Sequence, residues 1–506
     1  MQFVTPELLL APLSWIYGAS IILLTIAGIS SLVNCILYLF KRRRITRSRL
    51  DSERLTWPRV TVQLPLFNER FMIERLLHSV TRMDYPPERM QIQVLDDSTD
   101  DTTLLAKRQV AYYQALGFDI ELIHRTNRHG YKAGALGNGM STASGDFIAI
   151  FDADFLPPGD WLKRVVVEFD DEKVGFVQTR WGYTNHDYNL LTNLQALALN
   201  QQFVVEHNAR LHNGLFMSFN GSGGMWRKAC ISDAGGWQSD TLVEDLDLSF
   251  RAQLRGWKPA YLPDVVVPND LPVDIEAFKQ QQYRWAKGGA QTLRKLGWKL
   301  LSSNLPLHVR VMGFIQLALY LSFPLMLILL LTTLPLALMG SPVFTLFPWT
   351  IIGAVGLPLA YILSKTEYQP SIIKRIFLIP GVLLMGFGLV VNNTAAVLEG
   401  LFRRGGEFVR TPKPTLGGMN SIKTETYAVK FNPLVWGELG VALYTGLCMI
   451  LLWDEPIGIG LLPWLSYYGA AFLFSGLGSL LANLRSLRRP ALQHVPVRLG
   501  LPGHKQ

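Results

Sequence analysis

The sequence predicts an α/β domain inserted between transmembrane α-helices, and two observations carry this prediction. Apolar residues are concentrated outside the middle of the chain, since neither residues 16–40 nor residues 311–364 contain a charged side chain. Residues 45–305 have a soluble composition, in which short runs rich in Val, Ile and Phe alternate with stretches of helical spacing. This alternating βαβα order favours an open, largely parallel sheet with right-handed crossovers.

The composition excludes several classes of protein. The 506 residues are 49% hydrophobic and only 17% charged, whereas soluble domains are roughly 25% charged, so the chain is not a disordered one. Cys35, Cys230 and Cys448 lie far apart in the sequence, which excludes a disulfide scaffold and a zinc site built from cysteines. The net charge is +9, and its basic residues cluster beside apolar segments, a position typical of a membrane surface rather than of a nucleic-acid partner.

The first apolar segment predicts a retained membrane anchor. Residues 16–40 are long enough to cross the hydrocarbon core, which takes about 20 helical residues, and four basic residues follow directly at 41–44. Positive charge on that side predicts that it faces the cytoplasm. A signal peptide would instead carry its charge before a shorter apolar core.

The later apolar segments predict a multi-pass protein. A turn at residues 340–342 divides 311–364 into two spans, and basic residues after 402 and after 484 predict that both of these regions are cytoplasmic. An outside N-terminus then requires an odd number of crossings, so we expect five, with residues 376–402 lying in the interface or re-entering. The predicted regions are a transmembrane anchor (1–44), a cytoplasmic domain with an interface helix near its end (45–305), transmembrane or interfacial helices (306–402), a cytoplasmic loop (403–433), two transmembrane helices (434–490) and a cytoplasmic tail (491–506).

Polar clusters fall at the ends of the predicted strands. These strands are 60–64, 92–95, 120–124 and 147–151, with helices at 68–81 and 102–116. Ligands in open α/β sheets bind beyond the carboxyl ends of the strands, and polar residues occur there at 65–69, 96–98 and 152–154. A single cluster is typical of a helix N-cap, but three at the same end of one sheet predict a binding site.

Several of these residues have a specific chemistry. Asp152 and Asp154 are separated by one small residue, so both can face one divalent cation, for which carboxylate oxygen suits Mg²⁺ or Mn²⁺. Lys132 lies in a predicted tight glycine-containing loop, which is either a diphosphate site or a solvated basic turn. The acidic run that begins at Glu244 suits the first turn of a helix, and one of its carboxylates could serve as a general base.

A second group of polar and aromatic residues precedes the membrane. Residues 281–285 read Gln-Gln-Tyr-Arg-Trp on a predicted helix. Arg284 could pair with a phosphate, and Trp285 offers a flat face for a sugar ring. The other interpretation is an aromatic and basic belt at the membrane interface.

Taken in order, these motifs resemble the family-2 glycosyltransferases, and within them they are most similar to cellulose synthases and the plant cellulose-synthase-like mannan and glucan synthases. The similarity covers about residues 60–285 and implies a GT-A-like nucleotide-diphospho-sugar transferase domain placed between transmembrane helices. The residues that carry it are the segments 63–69, 93–98, 130–134, 150–155, 219–224, 243–245 and 281–285.

The resemblance implies a role for each matching residue. Asp245 would be the general base, and Asp152 and Asp154 would bind Mg²⁺ or Mn²⁺ and the diphosphate. The remaining nucleotide-sugar ligands would be Pro65, Asn68, Glu69, Asp96, Asp97, Lys132, Gln281 and Arg284. The acceptor site would comprise Phe219, Asn220, Gly221, Ser222, Glu244 and Trp285. A gating loop over the nucleotide would contain Phe408, Arg410 and Thr411.

Two departures limit the resemblance. Val243 stands where bacterial cellulose synthases carry Thr, although the plant-like branch also has a Val-Glu-Asp form. Only 22 residues follow Leu484, so we expect no cyclic-dinucleotide-binding domain after the last span.

The resulting hypothesis is a membrane-embedded, inverting hexosyltransferase that elongates a β-linked polysaccharide and passes it into a channel. An activated hydroxyl displaces the nucleoside diphosphate, and a metal takes up the released charge. UDP-glucose is the favoured donor and GDP-mannose the other candidate. The alternative enzyme transfers one sugar to a lipid, as a β-glucosyldiacylglycerol synthase does, and the non-enzymatic alternative is a scaffold with a degenerate transferase domain.

The expected surroundings follow from that hypothesis. The partners would be a nucleotide-sugar donor, a polysaccharide or lipid acceptor and the lipid bilayer, with no nucleic acid. A secretion partner is not identifiable from the residues. The protein would lie in a plasma, inner or Golgi-type membrane with its catalytic domain in the cytoplasm.

Overall fold

The structure is a computed structural model that describes residues 6–41, 56–403, 405–406, 415–417, 421–423 and 432–487. Its main sheet is mixed and has the strand order β3-β2-β1-β4-β6-β5-β7. The seven strands are β1 (Val60–Leu66), β2 (Met90–Asp96), β3 (Asp119–His124), β4 (Phe147–Ile150), β5 (Val174–Tyr183), β6 (Gly224–Arg227) and β7 (Lys258–Asn269). A separate ribbon pairs β8 (Thr415–Gly417) with β9 (Ser421–Lys423).

The four strands predicted from the sequence form one parallel part of this sheet, and β5 and β7 form another. β1 pairs in parallel with β2 and β4, and β2 pairs in parallel with β3. β1 and β2 continue to Leu66 and Asp96, so Pro65 and Asp96 belong to the strands themselves. β6 is antiparallel to both of its neighbours and brings the segment before it, residues 219–223, to the same edge.

The helices are, in chain order, α1 (Pro6–Lys41), α2 (Ile73–Thr81), α3 (Thr102–Ala115), α4 (Tyr131–Gly139), α5 (Trp161–Val166), α6 (Leu190–Asn200), α7 (His207–His212), α8 (Lys228–Asp233), α9 (Glu244–Leu254), α10 (Ile275–Leu301), α11 (Leu307–Ala318), α12 (Ser322–Leu338), α13 (Thr350–Ala354), α14 (Gly356–Leu363), α15 (Ile372–Gly388), α16 (Val390–Phe402), α17 (Leu434–Leu451) and α18 (Gly458–Leu487). A π-helix, Gln201–Glu206, joins α6 to α7. Short 3₁₀ turns lie at Pro87–Arg89, Val167–Asp170, Leu319–Leu321 and Pro342–Trp349.

Two of the predicted helices have observed counterparts that differ in length. The predicted helix 102–116 corresponds to α3, whereas the predicted helix 68–81 begins only at Ile73. Asn68 has a φ of +54°, and a residue in the left-handed region cannot continue a right-handed helix. The chain therefore turns after β1 before α2 begins.

Hydrophobic cores cover both faces of the sheet. One face packs Leu64 and Val94 against α2, α3 and α5, with Trp161 of α5 in the same core; all three side chains are fully buried. The other face packs Ile148 and Phe176 beneath α4 and α9. The central strands are buried on both faces, which explains their nearly continuous apolar sequence.

Four helices in the described part of the chain are long and apolar enough to cross a membrane. They are Leu10–Lys41, Leu307–Leu338, Leu434–Leu451 and Gly458–Leu484. α15 and α16 form a pair bent by 48°, a shape that fits either a broken span or the re-entrant segment expected for 376–402. The number of crossings stays a prediction.

The second half of 311–364 differs from the span that the sequence predicts. It forms a 3₁₀ turn and the short helices α13 and α14. These helices contact α1 backbone to backbone, since a Cβ at Gly28 would lie 2.3 Å from the carbonyl oxygen of Gly353 and one at Gly356 would lie 2.3 Å from that of Gly28. Small residues allow this close approach between helices.

Candidate active site

A cleft lies at the carboxyl ends of the parallel strands, where the sequence predicts a site. Residues at the start of α9 and in the first half of α10 also line it. The sequence-predicted residues that line it are Pro65, Glu69, Asp97, Lys132, Asp152, Asp154, Asn220, Gly221, Glu244, Asp245, Gln281, Arg284 and Trp285. Residues 220 apart in sequence thus meet in one cleft, as the polar clusters at the strand ends predict.

Lys132 lies on a helix and not in the loop that the sequence predicts. Gly130 has a φ of +73° and Tyr131, the first residue of α4, a φ of +50°, so the chain turns through the left-handed region as α4 begins. Lys132 is therefore on the first turn of α4, with its side chain in the cleft.

The ammonium group of Lys132 joins three parts of the cleft. Its Nζ lies 2.6 Å from Asp152 Oδ1 and 3.7 Å from Glu244 Oε1, and it donates a 3.0 Å hydrogen bond to the carbonyl oxygen of Gly221. Burial by itself lowers the pKa of Lys132, but the facing carboxylates outweigh it and raise that pKa. Lys132 thus stays positively charged beside Asp152, which lies just after β4.

Asp152 and Asp154 have the donor set of a divalent cation site that substrate phosphates complete. The Asp152 side chain is 35% exposed to the cleft, and its backbone N–H donates to Ser222 Oγ at 2.9 Å. Asp154 is 1% exposed. Among the residues that the structure describes, no three His, Cys, Asp or Glu side chains form a metal site on their own. Two carboxylates are nevertheless what Mg²⁺ needs when phosphate oxygens supply further ligands, so these residues fit the expected Mg²⁺ or Mn²⁺.

Asp245 combines burial with neighbouring negative charge. Burial, with a further contribution from Glu244, raises its pKa to about 7, while Lys132 opposes the rise. Gly221, whose φ is +81°, lies so close that an added Cβ would be 2.9 Å from Asp245 Oδ2. A carboxylate whose pKa is near neutrality can accept and release a proton at physiological pH, as a general base must.

Helix α10 brings Gln281, Arg284 and Trp285 to the cleft. Burial lowers the pKa of Arg284, and the opposing carboxylates, led by Glu244 and Asp152, act against this. The guanidinium therefore stays charged at any physiological pH and faces the region where a diphosphate would release charge. Gln281 and Trp285 also border a second cavity, between the membrane helices.

Four of the predicted site residues that the structure describes do not line the cleft: Asn68, Asp96, Phe219 and Ser222. Asp96 is fully buried, and its carboxylate accepts from Thr103 Oγ1 at 2.6 Å and contacts His124 Nδ1 at 2.8 Å. Asn68 accepts from the backbone N–H of Thr99 at 2.9 Å. Direct roles for these two in nucleotide binding stay predictions.

Phe219 and Ser222 support the segment before β6. Phe219 is 1% exposed and packs on Trp226, with ring centroids 5.2 Å apart. Ser222 is fully buried and its hydroxyl accepts from Asp152, as described above. The proposed acceptor contacts in this segment therefore fall to Asn220 and Gly221.

The cleft also contains residues that the sequence does not point to. Asp270 lines it and pairs with Arg75 at 2.6 Å; it follows β7, a strand with no clear alternation in sequence. Arg128 lies over the Phe67 ring, 3.3 Å from its centroid. The signal that points to Asp270 is the same as for the other clusters, since it is a polar residue directly after a strand. Phe408, Arg410 and Thr411 lie outside the described residues, so the gating loop stays a prediction.

The fold and the cleft are those of a GT-A-like glycosyltransferase. Residues 61–231 match the family described as Glycosyl transferase family 2, and residues 147–339 match Glycosyl transferase family group 2. Glucomannan 4-beta-mannosyltransferase 2 of Arabidopsis thaliana is 34% identical over 419 residues, which are 79% of this chain and 77% of that protein. The chain belongs to the family-2 glycosyltransferases.

Two further relatives extend the comparison. Glucomannan 4-beta-mannosyltransferase 9 of Arabidopsis thaliana is 40% identical over 253 residues, 49% of this chain and 48% of that protein, so the chain spans about half the length of that relative. A solved mannosyltransferase from Pyrobaculum calidifontis, in complex with GDP-Man and Mn²⁺, is 23% identical with a TM-score of 0.47, covering 69% of this chain and 98% of that one.

Proposed function

We propose that this protein is a membrane-embedded, inverting mannosyltransferase that extends a β-linked polysaccharide from GDP-mannose and passes the product into the membrane. The observation that carries the proposal is the junction of two cavities. Leu199, Gln281 and Trp285 line both the charged cleft and the cavity between the membrane helices. A sugar chain extended in the cleft would enter the second cavity directly.

The membrane cavity has a lining suited to a sugar chain. Its volume is about 700 Å³, and its walls combine apolar surface with amide and aromatic side chains, among them Gln201, Gln202, Tyr320 and Trp464. Amides bond sugar hydroxyls, while aromatic rings offer flat faces to the apolar faces of pyranose rings. A lipid acceptor would have less use for these amides, which is why the single-transfer alternative is not favoured.

The proposed mechanism is one displacement at the anomeric carbon. Asp245 takes the proton from the attacking acceptor hydroxyl, and Lys132 and Arg284 hold the negative charge that develops on the leaving diphosphate. Asp152 and Asp154 would hold Mg²⁺ or Mn²⁺, which supplies further charge neutralisation when bound. Because the attack comes from the face opposite the leaving group, an α-linked donor gives a β-linkage.

The choice of donor rests on the relatives. No residue of the sequence decides between the donors, so our expectation of UDP-glucose had no residue behind it, whereas the relatives at 34% and 40% identity are named as mannosyltransferases. We therefore propose GDP-mannose. Glucose and mannose differ only in the orientation of the C2 hydroxyl, so the same cleft chemistry serves either donor.

The test uses the purified full chain in nanodiscs with Mn²⁺ or Mg²⁺. GDP-mannose and UDP-glucose are supplied separately with a labelled sugar, and the product is sized and digested with linkage-specific hydrolases. A long mannan from GDP-mannose is the expected result, and Trp285→Ala should shorten it. A polymer made from UDP-glucose alone would contradict the donor assignment. A lipid carrying a single sugar would contradict polymer synthesis.

A further inference from the structure

A π-helix lines the membrane cavity, directly after Leu199 and Asn200 in the chain. The segment Gln201–Glu206 has i to i+5 hydrogen bonding, and such segments are uncommon and frequently occur at functional sites. Its fully buried Phe203 accepts, through the backbone carbonyl, a hydrogen bond from the hydroxyl of Tyr261 on β7. This hydrogen bond anchors the π-helix to the sheet. The residue that follows the π-helix is His207.

His207 connects this turn to the cleft. Its side chain is fully buried and lies between the rings of Phe203 and Tyr261. His207 Nε2 is 2.7 Å from Oδ1 of Asn220, a residue that lines the cleft beside Gly221. Burial lowers the pKa of His207 to about 4, so the ring is neutral and carries one N–H.

The surroundings of the ring determine which nitrogen carries that proton. Within the described residues, His207 Nδ1 has no hydrogen-bond partner. A buried N–H without an acceptor is costly, so the proton belongs on Nε2. Nε2–H then donates to Asn220 Oδ1, so the Asn220 amide nitrogen, Nδ2, is the side-chain group of this cleft-lining residue that His207 does not engage.

The backbone at Asn220 is fixed as well. Its N–H donates to Gln178 Oε1 at 2.9 Å, and the Gln178 amide donates to the carbonyl oxygens of Ser222 and Gly223 at 3.1 Å each. The carboxamide therefore has both its position and its orientation set by buried neighbours. The next residue, Gly221, adjoins Asp245 Oδ2, so the segment that carries Asn220 passes beside the proposed general base.

We propose that His207 is a positioning residue that orients the Asn220 carboxamide so that Nδ2 donates a hydrogen bond to the acceptor sugar beside Asp245. This inference rests on the proposed function. His207 itself does not contact the sugar. Its effect is on how well the acceptor is held and aligned, and the donor's diphosphate is bound by other residues.

Three variants separate orientation from simple packing. His207→Phe keeps a ring in the same space and removes the N–H. His207→Gln keeps a side-chain N–H that can reach Asn220. Asn220→Asp keeps an acceptor for His207 and removes the Nδ2 donor. His78→Gln, at an exposed position on α2, is the control.

The measurements are the kcat and KM for a soluble β-linked manno-oligosaccharide acceptor, the KM for the donor, and the Tm of each variant in nanodiscs. We expect His207→Phe and Asn220→Asp each to raise the acceptor KM about five- to tenfold, the loss of one hydrogen bond, with the donor KM unchanged. His207→Gln should restore most of the loss. His207→Phe should add nothing in an Asn220→Asp background, because both remove the same contact.

The contrary results are equally specific. Independent, multiplying effects of His207→Phe and Asn220→Asp, or an equal rise in the donor KM, would overturn the positioning role. If His207→Phe does not fold, His207→Gln and Asn220→Asp carry the test, and a His207→Gln variant as impaired as Asn220→Asp would overturn it. A wild-type chain that transfers sugar from neither donor would instead overturn the proposed function, independently of the variants.

Discussion

Lys132 and Lys279 both lie among carboxylates, but they do different things. Lys132, in the cleft, is 13% exposed and pairs with Asp152, which is 35% exposed. Lys279, on α10, is fully buried against the equally buried Glu438 on α17, at 2.7 Å, and also donates to Ser479 on α18 at 2.9 Å. The chemistry of the two pairs is the same, but only the first has space in front of it.

The difference lies in which charges can exchange partners. Lys132 can leave Asp152 for a phosphate because the cleft offers room and water. Lys279 cannot, and its pairing fixes α10, which carries Arg284 and Trp285, to the last two membrane helices. Removing one partner of a buried charge pair costs far more free energy than removing one partner of an accessible pair, because the remaining charge is left without compensation. The Lys132–Asp152 pair in the cleft can therefore exchange partners, whereas the Lys279–Glu438 pair that holds α10 cannot.

The largest effect should come from the group that does the chemistry. Asp245→Asn keeps the size of the side chain and removes its basicity, so transfer should fall about 10²–10⁴-fold. Donor binding, measured by nucleotide displacement in nanodiscs, should change little. Transfer that persists at the wild-type rate would remove Asp245 from the mechanism.

Breaking the Lys279–Glu438 pair should lower the thermal stability of the protein. Lys279→Met leaves Glu438 buried without its partner, which costs about 3–5 kcal/mol and should lower the Tm measured in nanodiscs. Glu438→Met added to Lys279→Met should recover part of the loss, because Glu438 is then no longer a buried charge without a partner. The recovery should be incomplete, since Glu276, 2% exposed and 3.8 Å from Lys279 Nζ, still loses its cation. Lys299→Met, at an exposed position on the same helix, is the matched control. A double variant no more stable than Lys279→Met would show that the pair is not what holds α10.

Breaking the Lys132–Asp152 pair should instead lower the rate of sugar transfer. Lys132→Met removes a charge-assisted contact worth about 1.5–3 kcal/mol, so kcat/KM for the donor should fall about 10–100-fold. Its Tm should fall less than that of Lys279→Met. Lys163→Met, which breaks the exposed 2.6 Å pair with Asp84, is the control. Equal losses of stability in Lys132→Met and Lys279→Met would contradict the distinction between the two pairs.

A smaller effect concerns pH. Since Asp245 has a pKa of about 7 and acts as a base only when deprotonated, kcat/KM should fall as the pH drops below about 7, approaching tenfold per pH unit. Lys132 lowers the pKa of Asp245, so Lys132→Met should move the descending limb to higher pH. Initial rates from about pH 5.5 to about pH 8.5 measure both. A limb that moves to lower pH would contradict the coupling.

Much of the cleft could be predicted from the sequence because its groups follow strands that are recognisable by composition. Asp97, Asp152 and Asp154 come directly after apolar runs, and parallel pairing brings strand ends together whatever the loops do. The helical position of Lys132 could not be predicted in this way. It depends on a left-handed turn at Gly130, and many glycines in the sequence could adopt such a turn.

The remaining features depend on contacts between distant residues. Lys279 and Glu438 are 159 residues apart, and each by itself reads as an ordinary charge near a membrane helix. His207, which meets Asn220, follows a π-turn for which the sequence has no periodic signal. The apolar pattern likewise predicts the length of 311–364 but not its division into short helices, which follows from the glycine contacts with α1.

The π-helix has a consequence for how this chain can change by insertion and deletion. A π-turn accommodates one more residue than the α-helical turn it replaces, so loss of one codon within 201–206 would leave a continuous α-helix. Because the wide turn absorbs the extra residue, the helical turns on either side keep their register when that residue is lost. His207 would therefore keep its direction toward Asn220, and the change would fall on the part of the membrane cavity that residues 201–206 line. The loss of a single codon would thus change the wall of the membrane cavity and leave the contact between His207 and Asn220 in place.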